Sequence, residues 1–223
     1  MPAAAPAILG DAAPRMEQYA RLLAGAGVER GVLGPNEVPR LWERHLLNSA
    51  VIVELVPWSG SGSLVDLGSG AGLPGIVLAM LLPDSEVTLL EPVLRRAAFL
   101  EECVAELELG NARVVRARAE QMVGKIAADV VTARAVAPLE RLAALALGLL
   151  KPGGIVLAVK GAKAAAEISD AEQALSRLGV REVEVLTAGR GKVDPAATVV
   201  RLRAPIRVAG PGGRTGSGTV RRD

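Results

Sequence analysis

The sequence is poor in the side chains that build disulfides, metal sites and aromatic clusters. Its 223 residues include one cysteine, one histidine, one tyrosine, one phenylalanine and two tryptophans. A single cysteine, Cys103, excludes an internal disulfide and fits a reducing compartment. With one histidine, one cysteine and no evident acid–base dyad, we predict neither a metal site nor a catalytic residue. The core must be built from alanine, valine and leucine, because aromatic residues amount to only 2%.

Long apolar runs are also missing. No stretch reaches the roughly 18 uninterrupted apolar residues that a membrane helix needs. The N-terminus lacks the charged start and long apolar run of a signal peptide. We therefore expect a cytoplasmic protein without membrane contact. Its formal net charge of +2 and its pI of about 9.0 permit contact with nucleic acid without requiring it.

The stretch from Leu64 to Gly75 is the most informative part of the sequence. An apolar run containing Asp66 leads into three alternating glycines, and Pro74 opens a second apolar segment. This order predicts a strand, a tight turn and the start of a helix. Glycine lets a ligand press against bare backbone and reaches positive φ at little cost. Such a turn at the carboxyl end of a parallel strand is where α/β sheets bind nucleotide-like ligands.

Two ligands fit this glycine loop. Gly70, Gly72 and Gly75 match the dinucleotide pattern G-x-G-x-x-G, in which the helix N-terminus binds a pyrophosphate. Counted from Gly68, the pattern is D-x-G-x-G-x-G, which suits S-adenosylmethionine. Asp66 then stands where an acid can pair with the ammonium of that ligand, directly or through water. The loop alone does not decide between them.

Beyond residue 62, short apolar segments alternate with segments of helical periodicity. This predicts βαβ units in a parallel sheet covered by helices on both faces. A connection of about ten residues, rich in glycine and proline, separates the last two strands and suits an antiparallel pair. A parallel sheet that ends this way is typical of the α/β, Rossmann-like, seven-stranded fold of class I S-adenosylmethionine-dependent methyltransferases, and it argues against a dehydrogenase. The predicted strands are 63–67, 86–91, 112–116, 128–133, 154–160, 181–187 and 197–203, and the predicted helices are 73–82, 93–109, 138–150 and 163–178, with a short turn near 119–124.

The composition divides the chain into three parts. We predict an N-terminal helical cap over residues 1–62, a methyltransferase domain over 63–203 and a disordered basic tail over 204–223. Within the cap, residues 38–56 have the clearest helical periodicity. The Gly/Pro-rich residues 25–36 are expected to interrupt the helices, and the Ala/Pro-rich residues 1–14 to be poorly ordered.

Candidate cofactor residues follow the predicted strands. Glu91 ends the second strand beside the glycine loop, where an acid can accept both ribose hydroxyls of an adenosine. Ala119 and Glu120 follow the third strand, where an acid or the backbone can meet the adenine amine, although Glu120 also suits a first helical turn. Arg134 ends the fourth strand, where many amino methyltransferases carry an acid or Asn-Pro-Pro-Tyr. Its presence argues against an amine nucleophile.

An aromatic ring nitrogen with a free lone pair is a better acceptor for this chain. N7 of guanine needs no deprotonation, so positioning and electrostatics suffice for its methylation. The lack of catalytic groups is therefore compatible with such a reaction, and equally with no catalysis.

Basic residues gather where a polyanion could reach the crevice. Arg95 and Arg96 open the helix after Glu91, where they oppose the helix dipole, and Lys160 and Lys163 follow the fifth strand. With three arginines around the third strand, they favour phosphate contact. These three are Arg113, Arg116 and Arg118.

Several segments, in order over residues 40–203, resemble the glucose-inhibited division protein B (GidB) family of bacterial small-subunit ribosomal RNA methyltransferases, which act on N7 of one guanine. G-x-G-L-P-G together with an upstream Arg-His helix is far more specific than a glycine loop alone. The tail and residues 44–49 are most similar to the actinobacterial branch. The segments are Arg44-His45-Leu46-Leu47-Asn48-Ser49, Asp66 to Gly75, Leu90-Glu91, Arg95 to Leu100, Arg134-Ala135 and Lys160-Gly161.

The resemblance implies contacts between the chain and S-adenosylmethionine, with Glu91 at the ribose. It also implies that His45 and Lys160 shape the cofactor or RNA site, although a lone histidine is more often only a structural hydrogen-bonding group. Residues 25–40 lack the Trp-Asn…Asn-Leu-Thr stretch of many members. The implied cofactor contacts are Gly68, Leu73, Ala119, Glu120 and Arg134.

Taken together, we predict a monomeric enzyme that methylates N7 of a guanine in 16S ribosomal RNA, naked or partly assembled. Asp66, Gly68, Gly70 and Leu73 would hold the methionine part of the cofactor. The residues expected to face the RNA are His45, Arg95, Arg96, Lys160 and Lys163. The alternatives are an RNA-binding assembly factor without turnover, a small-molecule methyltransferase with a closed apolar pocket and, least favoured, a nicotinamide dehydrogenase.

Overall fold

Seven strands and the helices between them make up the computed structural model, which describes residues 1–134, 137–180 and 182–206. The strands are β1 (Ser63–Leu67), β2 (Glu86–Leu90), β3 (Ala112–Val115), β4 (Ala128–Arg134), β5 (Leu150–Lys160), β6 (Val183–Ala188) and β7 (Ala197–Arg203). The helices are α1 (Ala5–Leu9), α2 (Ala13–Leu22), α3 (Asn48–Ala50), α4 (Gly75–Leu81), α5 (Leu94–Glu106), α6 (Ala119–Met122), α7 (Leu139–Leu147) and α8 (Ala164–Arg177). None of the helices described is both long enough and apolar enough to cross a membrane.

The strands form one sheet in the order β3-β2-β1-β4-β5-β7-β6. The first five strands pair in parallel. β7 is antiparallel to both β5 and β6, which confirms the predicted fold class. The sheet order reverses beside β1, so the carboxyl ends of β1 and β4 flank the crevice where α/β sheets bind ligands.

Two apolar cores cover the faces of the sheet, because successive strand residues point to opposite sides. Leu64 and Val130 belong to the core that also contains α4, α5 and the N-terminal helices. Val65 and Val131 belong to the other core, which contains α7 and α8. Cys103 is fully buried in the first core.

The expectation that residues 1–14 are poorly ordered is wrong. Helix α1 forms in this stretch, and its Ala5 and Leu9 are buried in the core that holds α4 and α5. The predicted interruption of the helix at residue 25 also comes too early, since a π-helical turn, Leu23–Gly27, continues α2. Gly27 packs against Phe99, where an added Cβ would lie 3.4 Å from Cζ. The lack of a side chain at Gly27 therefore allows close packing, and Gly27 does not end the helix.

Other predicted boundaries shift by a few residues. The stretch predicted as one helix over 38–56 is a chain of short helical turns: 3-10 Pro35–Arg40, π-helical Leu41–Leu47, α3 and 3-10 Val51–Leu55. β5 begins earlier than predicted because Leu150 already pairs with Ala128. Of the predicted strand 181–187, residue 181 lies outside the described residues, as does most of the predicted tail, 207–223.

Candidate functional site

Asp66 is a buried carboxylate at the end of β1 whose two oxygens both have protein partners. Its Oδ1 accepts from the Thr132 hydroxyl at 3.0 Å, and its Oδ2 accepts from the Gly75 amide at 3.1 Å. Thr132 reaches it because the two residues are register partners in the parallel β1–β4 pair. Burial raises the pKa of Asp66 to about 6, against the lowering effect of these hydrogen bonds. The carboxylate thus ties the start of α4 to the sheet.

Neighbouring parts of the protein pack directly against the backbone of the glycine loop. The amides of Gly68 and Ser69 both donate to the Leu90 carbonyl at the end of β2. Gly72 has a φ of +89°, and a Cβ there would lie 2.6 Å from the Tyr19 hydroxyl. A Cβ on Gly75 would collide with Leu89 and would lie 2.5 Å from Oδ2 of Asp66. Side chains at these two positions would force the loop apart.

Glu91 follows β2 and caps the same loop. Its Oε2 accepts from the Gly70 amide at 2.8 Å, and its Oε1 accepts from the Val93 amide at 2.9 Å. The side chain is almost fully buried, yet it contributes to the wall of a cavity at the loop. Each carboxylate oxygen has a second lone pair, so Glu91 can still accept hydrogen bonds from a ligand.

Tyr19 joins α2 to the glycine loop. Its buried hydroxyl donates to the carbonyl of Ala71, and burial raises the pKa of this phenol well above its usual value. The phenol therefore stays protonated and acts as a donor. No sequence pattern predicts this contact, since Tyr19 has the spacing of an ordinary core residue. The one available signal is that a buried tyrosine hydroxyl generally finds a partner.

His45 lies between a carboxylate and a guanidinium. Its Nδ1 is 2.6 Å from Nη2 of Arg134, and its Nε2 is 2.6 Å from Oε2 of Glu37. Because a guanidinium can only donate, Nδ1 is the acceptor and Nε2 carries the hydrogen that Glu37 accepts. Burial lowers the pKa of His45, which favours the neutral ring that this arrangement needs. The hydrogen bond from His45 lowers the pKa of Glu37.

Arg134 also donates through Nη2 to the Arg44 carbonyl at 3.3 Å. Its Nη1 is buried and, within the described residues, has no hydrogen-bond partner. A buried donor without a partner is costly, so this atom is a candidate to meet a ligand. Glu37 was missed in the sequence, because no periodicity links it to His45 across Pro39.

Two neighbouring cavities share Arg44 and Arg134 in their walls. The smaller, of about 540 Å³, is lined by the glycine loop, Glu91, His45 and Arg96. The larger, of about 980 Å³, opens to the surface among the ends of β4, β5 and the start of β7. The two arginines therefore stand between a compartment at the loop and a roomier one beside it.

Lys160 and Glu167 lie in the wall of the larger cavity. Lys160 ends β5, and its ammonium donates to Oε2 of Glu167 at 2.6 Å and to the Ala137 carbonyl at 3.1 Å. Its side chain is only 9% exposed. The lysine was predicted at the site, whereas Glu167 was missed because it resembles any acid in the first turn of a helix.

The predicted site residues fall into three groups, one of which is Lys160, in the wall of the larger cavity only. The smaller cavity brings together Gly68, Gly70, Leu73, Glu91, Arg134, His45 and Arg96. Asp66 lies behind the loop, buried, and does not line either of the two cavities. Four more predicted residues line neither of these two cavities. They are buried Ala119 and exposed Glu120 at the start of α6, exposed Arg95, and exposed Lys163, which precedes α8.

Comparison with known proteins identifies the family. The model of the GidB family, described as rRNA small subunit methyltransferase G, matches residues 12–194. The chain belongs to this family. Relatives that bear the name ribosomal RNA small subunit methyltransferase G include a protein of Thermobifida fusca, 56% identical over 89% of this chain and 83% of its own length. Another, from Streptomyces coelicolor, is 53% identical over 87% of this chain and 81% of its own length.

Solved structures share the fold of this GidB family member at low identity. An S-adenosylmethionine-dependent O-methyltransferase of Thermotoga maritima aligns with a TM-score of 0.57 at 16% identity, over 77% of this chain and 71% of its own. A precorrin-6y C5,15-methyltransferase of Geobacter metallireducens aligns with a TM-score of 0.53 at 17% identity, over 77% of this chain and 90% of its own. The fold is that of the S-adenosylmethionine-dependent methyltransferases.

Proposed function

We propose that this protein transfers a methyl group from S-adenosylmethionine to N7 of a guanine in 16S ribosomal RNA. The observation that carries the proposal is the pair of adjoining cavities, a smaller one at the glycine loop and a larger one at the ends of β4 and β5, which share Arg44 and Arg134 in their walls. The names of its relatives, ribosomal RNA small subunit methyltransferase G, supply the class of acceptor.

The residues of the smaller cavity fit the cofactor. Its volume lies within the roughly 300–1,000 Å³ of small-molecule sites, and Gly68 and Gly70 give its wall a stretch of backbone without side chains. Gly68, Gly70 and Leu73 would border its methionine part, and Glu91 would accept the ribose hydroxyls. Asp66, with both oxygens engaged inside the fold, would act by holding the loop in shape.

The remaining assignments follow from position along the sheet. Ala119 and Glu120 follow β3, the strand next to β2 and therefore next to Glu91, so they would border the adenine. Arg134, held by His45, would bound the cofactor on the side of the acceptor. Arg95 and Lys163 are exposed and free to meet RNA phosphates.

When bound, S-adenosylmethionine supplies a methyl group on a sulfonium, which N7 can take with its lone pair while the sulfur keeps the electrons of the broken bond. N7 of guanine carries no proton, so this chain needs no general base. Its residues would hold the two reactants in line and exclude water, which are effects of position and charge. The larger cavity, with Arg44, Arg134 and Lys160 in its wall, suits an acceptor attached to a polyanion better than a small apolar one.

The test is methyl transfer from labelled S-adenosylmethionine to small subunits from a strain that lacks this gene, with the label mapped by nuclease digestion. We expect label in one guanine, as a ring-nitrogen methyl. A Glu91→Gln variant should lose transfer together with cofactor affinity, whereas Glu101→Gln, an exposed acid on α5, should keep both. Tight cofactor binding without any label in RNA would reject the proposal and favour a small-molecule acceptor or a protein without turnover.

A further inference from the structure

The Lys160–Glu167 pair has more acceptor capacity than the lysine uses. A nearly buried ammonium needs compensation, and Glu167 Oε2 together with the Ala137 carbonyl provides it. Within the described residues, Lys160 is the only donor to the Glu167 carboxylate. An ionised carboxylate accepts about four hydrogen bonds. Glu167 is one third exposed and lines the larger cavity, so its free lone pairs are open to a ligand there.

Glu167 stands beyond the arginines that divide the cavities. Arg44 and Arg134 line both cavities, whereas Lys160 and Glu167 line only the larger one. A ligand in the larger cavity can therefore present one edge to the cofactor cavity and another to Glu167. At about 980 Å³, this cavity has room for a nucleotide turned out of its RNA strand.

The chemistry of guanine fits this arrangement. N7 lies on the Hoogsteen edge, and the Watson–Crick edge on the other side of the ring presents two neighbouring donors, N1–H and the 2-amino group. A carboxylate is an acceptor-only group and can take both. Adenine presents an unprotonated N1, which a carboxylate repels, and pyrimidines have no N7.

We propose that Glu167, fixed by Lys160, accepts hydrogen bonds from N1–H and the 2-amino group of the target guanine and so selects guanine for methylation. This proposal rests on the proposed function and adds the residue that recognises the base. Glu167 is a specificity residue, and Lys160 positions it.

The test uses guanine and inosine in competition within one substrate. Inosine lacks only the 2-amino group of guanosine. 16S RNA transcribed with a small share of inosine in place of guanosine is assembled into small subunits and methylated to low conversion. Mass spectrometry of the nucleosides then gives 7-methylguanosine against 7-methylinosine. Because both bases compete for the same enzyme, the ratio does not depend on how much of a variant is folded.

The wild-type protein should prefer guanine by roughly 10- to 100-fold, as expected for one hydrogen bond to a charged group. In Glu167→Ala and Glu167→Gln the preference should fall to within a few-fold of unity, with affinity for S-adenosylhomocysteine unchanged in calorimetry. The matched control is Glu172→Gln, an exposed acid on the same helix that lines neither of the two cavities, and it should keep the wild-type preference.

Two results would overturn the inference while leaving the proposed function intact. One is a wild-type protein that methylates both bases equally well. The other is a Glu167 variant that keeps the wild-type preference, which would reduce Glu167 to a counter-ion for Lys160. If the wild-type protein methylates neither base, the proposed function itself fails, and this inference fails with it.

Discussion

Nη2 of Arg134, the last residue of β4, lies 2.6 Å from Nδ1 of His45, which precedes it by 89 residues. This contact joins the N-terminal helices to the carboxyl edge of the sheet. Since Arg134 bounds both cavities, the shape of the cofactor cavity depends on a residue outside the sheet. Glu37 extends the contact through Nε2 of the same ring.

We predict that Glu37 and His45 act on the cofactor through Arg134 and therefore act together. His45→Ala removes the acceptor for Nη2 and should weaken binding of S-adenosylhomocysteine by roughly tenfold, as expected for a hydrogen bond to a charged group. Glu37→Gln should weaken it by less. The double variant should bind no more weakly than His45→Ala alone, as measured by calorimetry.

Arg40→Ala is the control for the Glu37 experiment. Arg40 forms an exposed ion pair with Glu37, and such pairs contribute only about 0–1 kcal/mol, so its affinity should stay close to wild type. Strictly additive losses in the double variant would show that Glu37 and His45 act separately.

Tyr19→Phe tests whether α2 holds the glycine loop. The substitution keeps the ring but leaves the Ala71 carbonyl without its donor, at a cost of about 1–2 kcal/mol in the free energy of unfolding. Because Ala71 belongs to the cavity wall, we also expect a several-fold loss of S-adenosylhomocysteine affinity. Urea unfolding and calorimetry measure the two effects.

The matched comparison is Phe99→Leu, a core change on α5 that is outside the loop. It should lower stability by a similar amount and leave the affinity unchanged. Equal affinity in Tyr19→Phe and the wild type would mean that the hydroxyl contributes to stability alone.

The Asp66 carboxyl gives a pH-dependent prediction. Its pKa of about 6 exceeds the value of 3.8 for an unperturbed aspartate. Folding is therefore favoured by the protonated form: the stabilising contribution is complete below pH 3.8 and is lost as the pH rises through 6. By pH 8 the buried charge lowers the free energy of unfolding by about 3 kcal/mol, because each unit of difference between the two pKa values corresponds to roughly 1.4 kcal/mol.

Asp66→Asn should remove that cost. The amide oxygen can accept from Gly75, and the amide nitrogen can donate to the Thr132 hydroxyl. The variant should match the wild type in unfolding free energy at pH 4 and exceed it by about 1–3 kcal/mol at pH 8. Urea unfolding between pH 4 and 8 checks this, and lower stability of the variant across the whole range would contradict it.

Substitution by alanine should lower stability by different amounts at two glycines of the loop. Gly75→Ala puts a Cβ 2.5 Å from Oδ2 of Asp66 and against Leu89, and such overpacking typically costs about 1–3 kcal/mol or more. Gly70 has a φ of +57°, but the nearest atom to its Cβ would be the Gly68 carbonyl oxygen at 3.8 Å, so the cost there is mainly the left-handed backbone, about 1–2 kcal/mol.

Thermal unfolding should therefore rank Gly75→Ala below Gly70→Ala. Gly191→Ala serves as the control for a positive φ, since its φ is +75° and its Cβ would meet no atom within 4 Å. A Gly75→Ala protein as stable as Gly191→Ala would show that the contact with Asp66 is less tight than described.

Local patterns were enough for the sheet and much of the site. The apolar runs placed β1 within its observed bounds, and the glycine- and proline-rich connection between the last strands predicted their antiparallel pairing. The structure of the N-terminal part was not predicted correctly, because glycine and alanine can have several roles in a fold. Gly27 reads as a helix breaker but provides packing space for Phe99, and α1 is held by burial of Ala5 and Leu9 in a core contributed by distant segments.

The sequence by itself determined the family, the strand order along the chain and the loop on which the proposed cofactor site depends. These follow from neighbouring residues, since periodicity and turn chemistry are local. Only the tertiary structure decided that Tyr19 holds Ala71, that Glu37 and His45 support Arg134, and that Glu167 pairs with Lys160 at the wall of the larger cavity. Such contacts require side chains with exact reach from separate elements, and no spacing in the sequence encodes that reach.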